Sequence, residues 1–389
     1  MSRTPKVLHI SADYPDANRA ETTHAVRNFV TSNQELEYFV VSLNRVANPL
    51  KCNCVEGDGR GDSQVISMRY WGMPYGVFLA LSMLIVAIRI RGQLKQRGIN
   101  VDVIHAHKLT FEGLAAWFLA CWLTVPLVLS VRGEAESKIL RFKPHYKWLI
   151  KRMLRDAVQV LYVSAWFKPI LNRNFEISPD KQVFLPNFVS ENGATYSEEH
   201  KEDHLVTVLD LNVFLKKGLD RLLPAFKQVL KRYPNAKLDV IGRGSSQVIS
   251  EVESIVRQLE LQDRVVLKGA FDNTELLKII PRYAGLVLPS HNETFGMIYV
   301  EALLCGIPIL YSKNTGIDGF VDWIPAKVGV DATSVDSVAE GLAVILSNQY
   351  KYRQWLKENH AEIQSIFDRE SYLASYKKFI YSLLACSSD

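Results

Sequence analysis

The sequence predicts an α/β protein built from two doubly wound domains, each a parallel sheet flanked by helices. Short apolar runs alternate with helical periods along almost the whole chain, the signature of βα units. The alternation stops at 190–204, Ser-Glu-Asn-Gly-Ala-Thr-Tyr-Ser-Glu-Glu-His-Lys-Glu-Asp-His, a polar stretch with no apolar period, and then restarts. Such a break marks a domain boundary. The chain has 389 residues, too many for one ordinary core and suited to two of about 150–200 residues. The expected domains are 1–195 and 205–369, with a helix over 370–389 packing back on the first.

Val7-Leu8-His9-Ile10-Ser11 reads as the first strand, closed by the turn Asp13-Tyr14-Pro15-Asp16. A helix follows from about Glu21, with Ala25, Val26, Phe29 and Val30 on one face. Residues 39–43 are the next strand, 48–64 a polar surface loop and 76–98 a long helix. Val101 to His107 is a strand ending in two histidines. His105 is expected on the opposite face from His107, in the core. Helices at 114–123 and 145–156 alternate with strands at 126–131 and 158–163; Arg132-Gly133-Glu134 follows the first of these strands. Beyond the break, strands at 205–209, 237–241, 265–267, 285–288 and 307–311 alternate with helices at 218–233, 247–258, 274–280 and 296–305. Ligands of such sheets sit beyond the strand C-termini, so two in tandem are expected to face a central cleft.

Composition is ordinary for a globular chain, 48% apolar and 22% charged, which excludes disordered and fibrous classes. The charge of +5 is uneven. Residues 1–196 carry 24 Lys+Arg against 16 Asp+Glu, a balance of +8, and the rest 22 against 25, a balance of −3. The basic half is expected to meet something anionic. Five scattered cysteines, with Cys52 and Cys54 as an isolated CxC, point to a reducing compartment and to no metal framework. The start does not read as a signal peptide. The most apolar run, Val77 to Ile88, has twelve residues with only Ser82 polar, short of the ~20 that a spanning helix needs. A cytoplasmic chain is expected.

The chemistry concentrates in Pro289-Ser290-His291-Asn292-Glu293-Thr294-Phe295-Gly296-Met297-Ile298-Tyr299-Val300-Glu301-Ala302-Leu303-Leu304-Cys305-Gly306-Ile307-Pro308. It reads as strand, loop, helix, glycine turn and strand. A helix N-terminus near Thr294 to Gly296 offers free N–H groups and a positive dipole end, suited to a diphosphate. Glu293 and Glu301, were both helical, would lie about 12 Å apart along the axis. That is too far for the ~5–5.5 Å of a retaining glycosidase pair, so they fit two separate hydroxyl-binding posts. Glu301 stands among Val300, Ala302, Leu303 and Leu304 and needs a partner there.

This stretch resembles the E-x7-E signature of retaining GT-B glycosyltransferases, most closely glycosyltransferase family 4, through Glu293, Phe295, Gly296, Glu301, Ala302, Gly306 and Pro308. Further matches are Asp102-Val103-Ile104-His105-Ala106-His107, Val163-Ser164-Ala165-Trp166, Leu185-Pro186-Asn187-Phe188-Val189, Lys217-Gly218-Leu219-Asp220 and Val240-Ile241-Gly242-Arg243-Gly244. The resemblance implies the GT-B fold and assigns roles. Glu301 would accept from the donor ribose, and Glu293 would hold hydroxyls of the transferred sugar. Thr294, Phe295 and Gly296 would present N–H groups to sugar and diphosphate. Lys217 would neutralise the leaving diphosphate, His107 would contact the sugar or reacting centre, and Gly242 and Arg243 would lie at the donor. Fixed cations beside a growing leaving-group charge give differential stabilisation, so no metal or cofactor is expected beyond the nucleotide-diphosphate sugar itself.

Two departures stand out. The family's Arg five residues before the Lys is Asn212 here, leaving Lys216 or Arg243 to substitute. Its Gly-Gly in the first βα loop is replaced by Asp16-Ala17-Asn18-Arg19-Ala20-Glu21, leaving Asn18 and Arg19 as the phosphate or acceptor contacts, with Arg132 and Glu134 as further acceptor candidates. Residues 138–155 hold seven Lys/Arg and no Asp or Glu, interleaved with Trp148, Leu149, Ile150, Met153 and Leu154. That pattern fits an anionic membrane surface as well as a core helix with a solvated basic face. Nucleic acid is the weaker reading of the same charge, since no recognised nucleic-acid module accompanies it, and no nucleic-acid partner is expected. The resulting expectation is transfer of a hexose from a sugar nucleotide, such as a UDP-sugar or GDP-mannose, to a lipid-linked glycan. The setting would be bacterial surface polysaccharide synthesis (exopolysaccharide, capsule or lipopolysaccharide O-antigen) at the cytoplasmic face of the inner membrane. The alternatives are a GT-B relative such as a nucleotide-sugar epimerase, or an inactive sugar-binding homologue.

Overall fold

The computed structural model describes residues 3–19, 25–33, 35–57, 62–72, 78–188 and 201–385. They form two units: one gathers the described residues of Met1–Val163, Phe167–Leu185 and Glu370–Asp389, the other those of Ser164–Trp166 and Pro186–Arg369. The polar boundary is described only from residue 201 on, because 189–200 lie outside the described residues, and His204 already belongs to a strand.

In the first unit the strands are β1 (Lys6–Ser11), β2 (Glu37–Val46), β3 (Cys54–Glu56), β4 (Val65–Trp71), β5 (Val103–Ala106), β6 (Leu127–Val131), β7 (Gln159–Tyr162) and β8 (Gln182–Phe184). They lie in the order β3-β4-β2-β1-β5-β6-β7-β8. All pairs are parallel except β3 with β4. Val7, Leu8, Ile10, Val103 and Ile104 are fully buried, as befits a parallel sheet covered on both faces. The helices are α1 (Ala25–Ser32), α2 (Leu79–Gln96), α3 (Phe111–Leu123), α4 (Glu134–Phe142), α5 (Lys147–Asp156) and α6 (Lys168–Asn174).

The second unit has β9 (His204–Val208), β10 (Lys237–Ile241), β11 (Val265–Gly269), β12 (Gly285–Leu288), β13 (Ile309–Ser312) and β14 (Lys327–Val330). Their order is β11-β10-β9-β12-β13-β14, all parallel. Its helices are α7 (Leu219–Val229), α8 (Ser246–Gln258), α9 (Asn273–Ile279), α10 (Met297–Leu304), α11 (Val335–Glu358) and α12 (His360–Phe367), followed by α13 (Arg369–Ala385). From residue 370 on, α13 clusters with the first unit.

Strand order reverses between β1 and β5 in one sheet and between β9 and β12 in the other. Such switch points open a crevice beyond the strand C-termini. Both sets of expected site residues fall there.

Several expectations change. Residues 48–64 are not one loop: Cys54–Glu56 pairs antiparallel with β4, a three-residue edge too short to show a period. The helix expected over 145–156 starts at Lys147, after a turn at Pro144–Tyr146. It buries Leu149, Ile150, Met153 and Leu154 and leaves Trp148 exposed with the basic residues. Four of the five apolar residues thought to alternate with charge for a membrane therefore belong to the core. The helix expected from Gly76 is described from Leu79, residues 76 and 77 lying outside the described residues, as does Glu21. No helix among the described residues is long and apolar enough to cross a membrane.

Candidate functional site

In the second unit two loops meet at the β9/β12 switch point. The chain leaves β9 through a turn at Leu211–Val213 and reaches Lys217 and Gly218 before α7. The other loop leaves β12 and runs from Pro289 to Gly296 before α10. Two hydrogen bonds staple them: His291 N and the Ser290 hydroxyl both donate to Lys216 O, at 2.9 and 3.3 Å. A Cβ on Gly218 (φ +76°) would lie 1.9 Å from Pro289 O, so only glycine fits this corner. The staple brings Lys217 Nζ to 2.5 Å from Glu293 Oε2, both partly shielded.

Glu293 is not helical. Its N–H donates to Thr315 Oγ1 (2.7 Å), and its carbonyl accepts from Thr315 Oγ1 (2.9 Å) and Gly316 N (2.9 Å). Ser164 Oγ donates to Thr294 O at 2.6 Å. Phe295 is buried against Phe320 and Phe367 and anchors the loop. Gly296, at φ +80°, starts α10 with no side-chain cap; Tyr299 N closes back on Gly296 O (3.0 Å), and the N–H groups before it in the first turn have no intrahelical acceptor. One turn further, Glu301 is buried; burial pushes its carboxyl up, while a hydrogen bond from Asn273 works against that. An acid so placed is suited to accept from a hydroxyl.

Asn212 is structural here. Its N and Nδ2 donate to Asp210 Oδ1 (3.0 and 2.9 Å), and its Oδ1 accepts from Ser245 N (2.9 Å). It ties the β9 loop to the start of α8, where the family's cation would stand. Gly242 sits where a Cβ would meet Leu209 O at 1.7 Å. Arg243 and Lys216 are exposed.

In the first unit, His9 on β1 and His105 and His107 on and after β5 cluster at the β1/β5 switch point. The expectation that His105 points away from His107 is wrong: side chains at i and i+2 share a face of a strand, and the two rings stack at 4.3 Å. His9 Nδ1 and His107 Nε2 are 3.1 Å apart. His105 meets the Tyr376 hydroxyl through Nδ1 (2.9 Å) and Ser130 Oγ through Nε2 (2.8 Å). Burial holds all three neutral, with His9 pushed down to about 3 and the other two well below the ordinary histidine value. Their nitrogens lie within 4.8 Å of one another, as metal ligands can, but both His105 nitrogens are already engaged.

Arg132 Nε donates to His107 O (3.0 Å). Glu134 pairs with Lys138 (3.0 Å). Asn18 donates to Ser67 Oγ and Arg19 to Ala12 O, around a turn held by Asp16 Oδ1. Asn18 thus ties the loop to β4, and Arg19 closes it on Ala12.

Residues not singled out from sequence complete the picture. Glu112 is fully buried, takes Ala12 N on Oε1 (2.5 Å), and is pushed up to about 8 by burial and then by Asp13. Asp13 pairs with Lys108 (2.7 Å), and Glu136 takes Leu109 N (3.0 Å). His9 carried a signal, a histidine inside an apolar strand; Glu112, Thr315 and Asn273 carried none that spacing could reveal.

Two family descriptions match the chain: "Glycosyl transferases group 1" over residues 197–362 and "Glycosyltransferase Family 4" over 54–192. Among curated relatives, the gpi3 subunit of phosphatidylinositol N-acetylglucosaminyltransferase from Schizosaccharomyces pombe is 23% identical over 56% of this chain, which spans about half (47%) of that protein. The N-acetyl-alpha-D-glucosaminyl L-malate synthase of Bacillus anthracis is 22% identical over 80% of each chain. Among solved structures, Anabaena HepE in complex with UDP superposes with a TM-score of 0.71 at 14% identity, over 97% of this chain and 100% of that one.

Proposed function

The chain belongs to glycosyltransferase family 4, with the two Rossmann-like domains of the GT-B fold, and we propose that it transfers a hexose, with retention, from a nucleotide-diphosphate sugar to a hydroxyl of a lipid-linked glycan. The process would be bacterial surface polysaccharide synthesis. The observation that carries this reading is the Lys217–Glu293 pair at 2.5 Å beside the uncapped N-terminus of α10. A cation, a carboxylate and free N–H groups at one switch point suit a sugar diphosphate.

Lys217 and the α10 N-terminus take the diphosphate and stabilise its growing charge as the glycosidic bond breaks. Lys216, Gly242 and Arg243 flank it. Glu293 holds sugar hydroxyls, with the backbone of Thr294, Phe295 and Gly296 beside it, and Glu301 accepts from the ribose. His107 meets the sugar or reacting centre as a neutral ring; Arg132, Glu134, Asn18 and Arg19 belong to the acceptor side. The residues at the donor supply charge stabilisation by themselves, so the reaction as proposed needs no metal. The UDP bound by HepE and the phosphatidylinositol named for the yeast relative support a nucleotide donor and a lipid-borne acceptor. The exposed basic residues of α5 support attachment to an anionic cytoplasmic membrane face.

A thermal-shift screen against UDP-, GDP- and ADP-sugars identifies the donor, since binding raises stability; product analysis then follows the sugar. Transfer to a hydroxyl is expected. An epimerised free nucleotide sugar without transfer would overturn the reading, and flotation with anionic vesicles at low salt checks the membrane contact.

A further inference from the structure

In the first unit, α2 joins β4 to β5, α3 joins β5 to β6, and α5 lies between β6 and β7, three steps in one direction across the sheet. Right-handed crossovers put all three helices on the same side. They lie next to one another. The Arg91 guanidinium of α2 sits 6.0 Å over the Trp122 ring of α3, and Trp117 Nε1 of α3 donates to Asp156 Oδ2 of α5 at 2.9 Å. α2 buries Leu79, Met83, Val86, Ile90 and Leu94. At ~100° per residue, Leu81, Ile85 and Ile88 fall within about 60° of one another on the opposite side. They are 45%, 46% and 55% exposed. Gly92 continues their line, with nothing within 4 Å of where a Cβ would stand. Trp122 and, on α5, Trp148 are exposed as well. Charge on this layer has one sign. α2 has no carboxylate, α3 has only the buried Glu112, and α5 has only Asp156, which Arg155 holds at 2.9 Å. Lys95 on α2 and Lys151 on α5 are exposed and pair with no carboxylate among the described residues.

We propose that this face seats on an anionic bilayer, with Leu81, Ile85 and Ile88 entering the acyl boundary and the cations of α2 and α5 meeting lipid phosphates. The inference rests on the membrane attachment proposed above and changes its nature. α5 buries its aliphatic residues in the core, so the basic residues of α5 bind through charge, and salt would release them. The apolar half of the contact comes from a different helix, α2. Large apolar side chains aligned in solvent mark a contact surface. Its occupant is apolar at the stripe and negative around it over ~20 Å, two interhelical spacings of ~8–10 Å. An anionic leaflet has that pattern, and its interface suits the amphipathic indoles of Trp122 and Trp148. A second copy of this chain, meeting the same patch about a two-fold axis, would set these cations against themselves.

The test is co-sedimentation of the full chain with phosphatidylglycerol/phosphatidylcholine vesicles, at low salt and at about 1 M, where the screening length is ~3 Å. Leu81→Ser/Ile85→Ser/Ile88→Ser on α2 is compared with Lys147→Gln/Lys151→Gln on α5. The unaltered chain should bind at low salt and keep a measurable part of that binding at high salt. The α2 variant should bind about 100-fold more weakly at low salt, about fivefold for each half-exposed side chain, and lose the salt-resistant part. The α5 variant should weaken about 30-fold at low salt and keep the salt-resistant part. An α2 variant that binds as the unaltered chain does would overturn the insertion. So would complete release of the unaltered chain by salt, which needs no variant to observe. A lipid-free dimer that the α2 substitutions dissociate in sedimentation velocity would give the stripe to a second copy and overturn it too. The donor thermal shift, measured on the same samples, separates the two readings. A chain that responds to a sugar nucleotide but binds no vesicle loses the membrane face and keeps sugar transfer, whereas a chain that binds vesicles through α2 but no sugar nucleotide keeps the face and loses the proposed transfer.

Discussion

Gly218→Ala tests whether the corner between the two donor-side loops sets the position of Lys217. The added Cβ would lie 1.9 Å from Pro289 O, where ordinary contact begins at 3.4 Å, so the strands of this corner must part by about 1.5 Å. Gly98→Ala is the control: it has a similar φ, +63° against +76°, and nothing within 4 Å of the added atom. Both variants carry the left-handed penalty of about 1–2 kcal/mol. Only Gly218→Ala carries the further ~1–3 kcal/mol of forced overpacking. The functional contrast should be larger. Lys217 and Glu293 are paired at 2.5 Å across this corner, and displacing a positioned group by about 1 Å can cost ~100-fold in rate. The assay is steady-state transfer with the donor found by thermal shift, beside urea unfolding of each variant. Gly218→Ala should be folded and about 100-fold slower, Gly98→Ala folded and fully active. If the two variants matched in both stability and kcat, the close approach to Pro289 would not be what places Lys217.

Lys217→Met should lower kcat by about 10²–10³, the usual cost of one charge-stabilising group, with little change in KM; unchanged kcat would remove Lys217 from the proposed site. Glu293→Gln should weaken the sugar nucleotide more than the free nucleoside diphosphate, as competition binding can measure. Glu112→Gln should flatten the pH dependence of stability. The folded-state value near 8 lies above the free 4.5, so the wild type holds a proton that the unfolded chain releases, and loses stability as pH rises from 4.5 to 8. The variant should gain about 2–3 kcal/mol on the wild type between pH 5 and pH 7, read from urea midpoints. The buried histidines act in the opposite sense: with folded values below 6.5, the stability they permit is complete above that pH and falls away below it, most visibly for His9 down to about 3. Tyr376→Phe removes the hydroxyl from His105 and should cost about 1–3 kcal/mol in unfolding, with kcat unaffected.

How much of this was legible in the sequence depended on the length scale of each signal. The β9/β12 loops were readable because Lys217-Gly218 and Glu293 to Pro308 are contiguous and their chemistry is local. The histidine cluster was half readable. His105 and His107 are two apart and share a face by strand geometry, against the expectation that placed them on opposite faces, and His9 joins them only because β1 lies beside β5. Glu112 and Thr315 were illegible for the same reason. Their partners, Ala12 and Glu293, are 100 and 22 residues away, and only the sheet order brings them together. The basic stretch 138–155 was readable in charge but not in direction, because interleaved apolar residues look alike whether they face a core or a lipid. Packing of Leu149, Ile150, Met153 and Leu154 decided it.

The −3 balance of the second half raises the question of how it would attract an anionic donor. Lys217 supplies little long-range field, because Glu293 at 2.5 Å cancels it. The attraction must come from the uncapped start of α10, which carries about half a positive charge, and from the exposed Arg243 and Lys216. On the proposed roles, an arriving diphosphate competes with Glu293 for Lys217, and the carboxylate it displaces is partly shielded from water. A carboxylate in that position is costly unless new donors replace the ammonium. On the proposed roles, the hydroxyls of the transferred sugar are those donors. A nucleoside diphosphate without its sugar takes the cation and strands the carboxylate, whereas the intact sugar nucleotide satisfies both. On those roles, the pair that cancels itself before the donor arrives would let the site discriminate in favour of a donor that still carries its sugar.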